Sequence, residues 1–312
     1  MTSTRELEQH LQTVAGAVVF GATDVIRAIT VALVMRGHIL LEGVPGIGKT
    51  RLSKRIAAAL GGTFQRIQGT ADLMPSDITG VHVFERDSSR FAFRPGPLFA
   101  DIVLVDEINR AGPKTQSALL EAMQERQVTI DRDTMPLPAD FLVIATQNPR
   151  ELEGTYPLPE SQLDRFLVRI EMSYPDAASE RRALEAYGRD ANDIDPPVVP
   201  LDRGLLADVR TEVAGIEVSD ALHEYVLAIA AATRHSKRLT IGLSTRGALA
   251  LLRCARVAAA MAGETYVTPD HVRRVAPDVI NHRVMLAPEA MLENPHSGAH
   301  VTEIIGGVAV PR

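Results

Sequence analysis

The stretch Gly43-Val44-Pro45-Gly46-Ile47-Gly48-Lys49-Thr50 constrains this chain more than any other. It has the pattern G-x-x-x-x-G-K-[S/T], in which glycines let successive backbone N–H groups close around phosphate oxygens. His38-Ile39-Leu40-Leu41-Glu42 ahead of it reads as a buried strand. Leu52, Ile56, Ala59 and Leu60 behind it recur at helical spacing until Gly61-Gly62 stops the helix. The new helix points its positive end at whatever the loop encloses. Lys49 is expected to reach the β- and γ-phosphates, Thr50 to ligate Mg2+, and the run from Gly43 through Arg51 to bind the nucleotide. The plain alternative is a strand–turn–helix with a glycine-rich turn; the flanking strand and helix favour phosphate.

A second signature is Asp106-Glu107, which closes the aliphatic run Ile102-Val103-Leu104-Val105. A buried strand would deliver both carboxylates beside the loop. Asp106 is expected to hold Mg2+, and Glu107 to orient and deprotonate an attacking water, which points to hydrolysis and not to binding alone. An ordinary acidic strand end is the bland reading. Asn148 ends the next strand-like run, Phe141 to Thr146. A neutral amide there can bond the γ-phosphate and the water without adding charge, although an Asn148-Pro149 turn explains it equally well in isolation.

Arg165 and Arg169 lie around the last strand. An arginine from a neighbouring subunit can neutralise charge on a transferred phosphoryl group. Arg165 is preferred for this, Arg169 is the fallback, and an Asp164–Arg165 surface pair is the plain alternative. Arg246 follows the cap candidate Ser244, where a cation opposes the helix dipole, so a phosphate contact would explain it.

The 312 residues suffice for two domains, and a net charge of −6 does not advertise a polyanion partner. The single cysteine, Cys254, excludes an internal disulfide and reads as a buried small hydrophobe on a helix. The nine histidines show no H-E-x-x-H spacing; His296 and His300 are four apart, but Pro295 and Gly298 argue against a helix there. The start has no signal-like layout, and Ile26 to Met35 is too short to span a bilayer, so a cytoplasmic protein without a membrane segment is expected.

Taken in order, Arg5 to Val19 and Val25 to Arg36, the latter capped by Asp24, read as helices. Thr63 to Gln68 reads as a second strand. Hairpins are expected near 81–93, with the tip Glu85-Arg86-Asp87-Ser88-Ser89-Arg90, and near 127–138, with the tip Asp131-Arg132-Asp133. The pattern predicts an α/β core with a five-stranded parallel sheet over 1–190, a Pro-rich linker over 191–200 and an all-α lid over 201–312. Ser219, Ser244 and Thr268-Pro269 are the lid's expected helix caps.

At this point the residues resemble a family of P-loop NTPases, the AAA+ ATPases, and within it the MoxR family. The resemblance runs through Leu40 to Gly46, Pro75-Ser76-Asp77-Ile78-Thr79-Gly80, Pro95 to Ala100, Asp106-Glu107-Ile108-Asn109-Arg110-Ala111 and Lys114 to Met123. It continues in Ala145 to Pro149, Glu153 to Glu160, Gln162 to Phe166, Ser244-Thr245-Arg246 and His282-Arg283-Val284. It implies ATP and Mg2+ as ligands, Asn148 as first sensor, Arg165 as finger and Arg246 as second sensor. It further implies a ring, expected to be a hexamer, acting as a chaperone-like activator or metal-centre insertion factor. A partner with a von Willebrand factor A-type domain is implied as well. Ala22 stands where the family usually has glutamine, which bears on the adenine pocket; Gly69, Ala71 and Gly112 also depart. A nucleic-acid motor is the second reading, weakened by the acidic hairpin tips. A nucleotide-gated adaptor without a remodelling role is the third.

Overall fold

Strands made of uninterrupted aliphatics are stable only when covered on both faces, and three such runs lie side by side here. A computed structural model of the chain describes residues 2–44, 46–87, 89–131, 133–148, 154–188, 196–202, 204–294 and 296–311. Pro45, Ser88, Arg132, Pro149, Glu153, the 190 boundary with the first half of the expected linker, and Pro295 lie outside the described residues.

The chain opens with α1 (Ser3–Gly16), α2 (Thr23–Val34), β1 (Ile39–Gly43), α3 (Lys49–Ala59), β2 (Phe64–Gln68) and α4 (Pro75–Thr79). Next come the hairpin β3 (Gly80–Glu85) and β4 (Arg90–Pro95), β5 (Ile102–Asp106), α5 (Pro113–Glu125) and the hairpin β6 (Gln127–Ile130) and β7 (Asp133–Pro136). β8 (Leu142–Gln147), α6 (Glu160–Leu163), β9 (Val168–Met172) and α7 (Ala177–Tyr187) follow. The remainder is α8 (Leu205–Ala214), α9 (Asp220–His235), β10 (Leu239–Ile241), α10 (Thr245–Ala262), α11 (Pro269–Ile280), β11 (Met285–Leu286), α12 (Pro288–Glu293) and α13 (Ser297–Gly306).

The five parallel strands that the sequence pattern predicts lie in the order β2-β5-β8-β1-β9. Side chains alternate across the sheet. Ile102, Leu104, Leu142 and Ile144 meet Leu52 and Ile56 of α3 on one face. Val103, Val105, Val143 and Ala145 meet Leu119, Leu120 and Met123 of α5 on the other. Asp106 and Thr146 stand two residues beyond Leu104 and Ile144, so the same alternation puts them on the α3 face. That parity positions the site.

The lid shares its core with the N-terminal helices: Leu7, Leu11, Ile26 and Ile29 join Val209, Leu251 and Cys254 in one apolar cluster. Arginines close the helix ends at this junction, where terminal carbonyls lack intrahelical partners. Arg5 bonds the carbonyls of Met261 and Ala262, and Arg210 those of Leu33 and Val34. Cys254 is fully buried and its thiol is pushed up to about 12 by desolvation, so it behaves as a small hydrophobe. No described helix is long and apolar enough to cross a membrane.

Ser219, Ser244 and Thr268 cap their helices as expected, accepting from Leu222, Gly247 and His271. Three local expectations need correction. Ala22, not Asp24, precedes α2 and makes no side-chain cap; Asp24 sits in the first turn and pairs with Arg27 at 3.2 Å. The lid contains an antiparallel ribbon, β10 with β11, too short to show periodicity. His300 does lie on a helix, α13, buried against Arg238 and the Asn294 carbonyl. Where the expected linker is described, Arg55 bonds the Pro196 carbonyl at 2.7 Å, and just beyond it Leu201 bonds that of Ala59 at 2.8 Å.

His38, just before β1, joins three elements: its Nδ1 accepts from Val143 N and its Nε2 donates to the Met123 carbonyl, both at 3.0 Å. The bond accepted at Nδ1 requires a neutral ring, and burial lowers its pKa from 6.5 to about 4. The unfolded chain therefore takes up this proton before the folded chain does, and the stabilisation present above pH 6.5 is lost as pH falls toward 4. It amounts to about 3 kcal/mol. Asp278, raised to about 6 by burial, acts with the opposite sign in the same window, so the test is a difference between two proteins. Chemical denaturation of wild type and His38→Gln should show a stability gap that is widest near pH 7 and narrows by pH 4.

Candidate functional site

The loop between β1 and α3 turns through Gly46 and Gly48 at φ +84° and +89°, a left-handed conformation that glycine adopts without strain. A Cβ added at Gly46 would meet nothing within 4 Å, so the loop mouth opens on a cradle and not on packed protein. Lys49 and Thr50 open α3, with Gly48 as its cap. Lys49 Nζ donates to the Gly43 carbonyl at 3.0 Å and so lies across the loop.

Asp106 is 8% exposed and is reached from three elements. Thr146 Oγ donates to its Oδ1 at 3.2 Å. Its Oδ2 accepts from Arg66 Nε at 2.7 Å and lies 3.5 Å from Thr50 Oγ. Glu107 takes φ +56°, unusual for a residue with a Cβ, and this turns its side chain out of the strand's alternation. Its backbone N–H bonds Thr146 Oγ at 3.0 Å. Its Oε2 accepts from Gln68 Nε2 at 3.0 Å and stands 3.4 Å from Arg110 Nη1. Gly69 makes this geometry possible, because a Cβ there would sit 2.1 Å from the Glu107 carbonyl oxygen. The departure at Gly69 is thus tied to the Glu107 backbone. Gly112, in contrast, has room for a larger residue: its nearest atom would be 3.7 Å away.

Gly46, Gly48, Lys49, Thr50, Arg51, Asp106, Glu107 and Asn148 line one cleft of about 380 Å³. Arg66, Gln68 and Thr146 line it too and were not singled out in the sequence. The i,i+2 spacing of Arg66 and Gln68 puts them on one face of β2, but only the pairing of Gln68 with Asp106 reveals which face. A second cleft, about 460 Å³, adjoins the loop at Gly46, Ile47, Gly48 and Arg51, with Val18 to Phe20 and Tyr187 on its other side. The Arg51 guanidinium lies 3.9 Å above the Tyr187 ring centre. Ala22 is not among the lining residues; it is buried in the apolar cluster.

Arg165 and Arg246 do not line the phosphate-loop cleft. They share a separate groove of about 510 Å³ with Arg36, Arg126, Arg253 and Arg283. Asp164 does not pair with its neighbour Arg165: it holds Arg283 at 2.8 Å and stands 3.8 Å from Arg246. That carboxylate is what makes a cation tolerable at the start of α10. Arg283 is buried and also donates to the carbonyls of Phe166, Leu167 and Val279, while His282 bonds the Phe166 carbonyl. The lid thus grips the segment that carries Arg165. These six arginines make the groove strongly cationic; burial lowers the Arg126 pKa, with Arg36 and Arg210 nearby adding to the effect and Asp140 opposing it. Arg169, the fallback finger, is engaged inside the sheet by Glu42 at 2.5 Å.

Arg283 is buried, and truncating it strips the partly buried Asp164 of its nearest cation and removes a donor from the carbonyls of Phe166, Leu167 and Val279. Arg283→Ala should therefore lower unfolding free energy by about 3–5 kcal/mol in urea denaturation.

Residues 38–168 match the ATPase family associated with various cellular activities (AAA), and residues 231–304 match the AAA lid domain. YeaC of Bacillus subtilis strain 168 is 44% identical over 94% of this chain and 92% of its own length. The chaperone MoxR1 of Mycobacterium tuberculosis is 40% identical over 95% of this chain and 80% of its own. The crystal structure of a candidate ATPase from Cytophaga hutchinsonii superimposes with a TM-score of 0.90 at 36% identity, covering 99% of this chain and 96% of that one.

Proposed function

The chain belongs to the MoxR family of AAA+ ATPases, and from that premise we propose that it binds ATP with magnesium in the phosphate-loop cleft and hydrolyses it to ADP and phosphate. The observation that carries this reading is the convergence of Lys49, Thr50, Asp106, Glu107 and Asn148 on one cleft. The residues fit both ligands. The open cradle at Gly46 suits phosphate. Thr50 Oγ and Asp106 Oδ2, hard oxygen donors 3.5 Å apart, would suit a small divalent cation.

In this reading the loop N–H groups and Lys49 hold the phosphates. Thr50 and Asp106 would hold magnesium, whose charge would offset that of the phosphates. Glu107 accepts the proton of the attacking water, held in place by Gln68 and its left-handed backbone. Asn148 orients the water. The adjoining cleft between Phe20 and Tyr187 takes the nucleoside.

The groove holding Arg165 and Arg246 supports a ring, proposed as a hexamer, in which each subunit completes its neighbour's site. Arg246, read from sequence as a second sensor, is proposed to act across that interface together with Arg165. The work done is proposed to be remodelling of a protein client, in concert with a von Willebrand factor A-type partner. Exposed Phe84 and Phe91 on the first hairpin, 52% and 71% accessible, support a protein client. Glu85, Asp87, Asp131 and Asp133 at the hairpin tips weigh against nucleic acid.

Lys49→Ala should abolish ATP binding in a fluorescent-nucleotide titration. Glu107→Gln should bind ATP yet lower kcat by a factor of about 10²–10⁴. Arg165→Ala should bind ATP and lose turnover by about 10³-fold, with activity partly restored by mixing in Glu107→Gln subunits. Failure of that rescue in assembled mixtures counts against a finger acting between subunits.

A further inference from the structure

One cationic side chain in the cleft has no place in the hydrolytic scheme above. Arg66 sits on β2, the edge strand of the sheet, and its Nε lies 2.7 Å from Asp106 Oδ2. That oxygen is also the one nearest the Thr50 hydroxyl. The other carboxylate oxygen, Oδ1, is bonded by Thr146. The guanidinium and a divalent cation shared by Thr50 and Asp106 therefore address the same atom.

The two partners differ in freedom. The Asp106 side chain is 11% exposed, and a carboxylate so enclosed is costly without a positive neighbour. The Arg66 side chain is 50% exposed, since an edge strand leaves one side open to water. Arg66 can swing out into solvent, whereas Asp106 cannot. Gln68 supplies a second attachment, its Oε1 accepting from Arg66 Nη2 at 3.0 Å. Like charges a few ångströms apart in such a site repel strongly.

We propose that Arg66 is a resident counter-cation for Asp106 that competes with the divalent metal and so sets how much metal nucleotide binding requires. The proposal rests on Asp106 being a metal ligand. Arg66 neutralises the buried carboxylate when metal is scarce and withdraws toward solvent when metal arrives. Its withdrawal also frees the Oε1 end of Gln68, whose Nε2 holds Glu107.

The experiment is a titration of fluorescent ADP binding against Mn2+, which reads metal affinity without turnover. It is run on the full chain of wild type, Arg66→Gln, Arg66→Lys and Asp106→Asn, each checked for thermal unfolding. Removing the competing charge in Arg66→Gln should lower the half-saturating Mn2+ concentration about tenfold, while metal-free ADP binding, deprived of the charge that offsets Asp106, weakens. Arg66→Lys, which keeps the charge, should stay within about threefold of wild type. A half-saturating concentration that is unchanged or higher in Arg66→Gln overturns the proposal; a rise would make Arg66 a tether for Asp106 and not its competitor. Asp106→Asn separates the two levels. If it loses metal dependence while Arg66→Gln does not shift, only the role of Arg66 falls. If it binds Mn2+ and ADP like wild type, the metal assignment falls and the proposal with it.

Discussion

A carboxylate held almost out of water needs compensation from every direction, and Asp106 is where that requirement organises the protein. Its partners come from α3, β2 and β8, three elements far apart in the chain. The buried faces of β5 and β8 bring the last two into line with α3, because one alternation governs both apolar packing and the direction of Asp106 and Thr146. Stability and chemistry share that parity. Shifting either strand by one residue would send the aliphatics to the wrong core and the carboxylate to the wrong face.

A second constraint acts at the junction of sheet and lid. Helix ends leave carbonyls unsatisfied, and here arginines from distant elements satisfy them: Arg5 at the end of α10 and Arg210 at the end of α2. Arg283 does the same for the segment before β9, with Asp164 as its counter-ion. These bonds fix the lid against the sheet while six arginines gather in one groove. Such a concentration of like charge, only partly answered by Asp164, is a standing electrostatic cost that an anionic neighbour would relieve.

Much of the architecture was legible in local pattern. The loop and its flanking strand and helix, the two hairpins, and the caps at Ser219, Ser244 and Thr268 each depend on contacts within a few residues. Backbone geometry at that range follows directly from side-chain type. The short ribbon of β10 and β11 left no such trace, and Gly298 in α13 argued for a break that burial of His300 and Val301 overrides.

The sequence by itself therefore determined the glycine-rich loop between β1 and α3, the paired carboxylates and the parallel sheet that presents them, since each is written in spacing along one stretch of chain. Tertiary structure alone decided who stands beside whom. Arg66 carries no signal of its own in the sequence; the pairing of Gln68 with Asp106 is what sets it against the carboxylate. Arg246, read in the sequence as a phosphate contact, stands beside Asp164 in the groove that also holds Arg165, a placement its position along the chain does not reveal. Both outcomes depend on register and docking between segments tens of residues apart, and composition and periodicity carry no information about that distance.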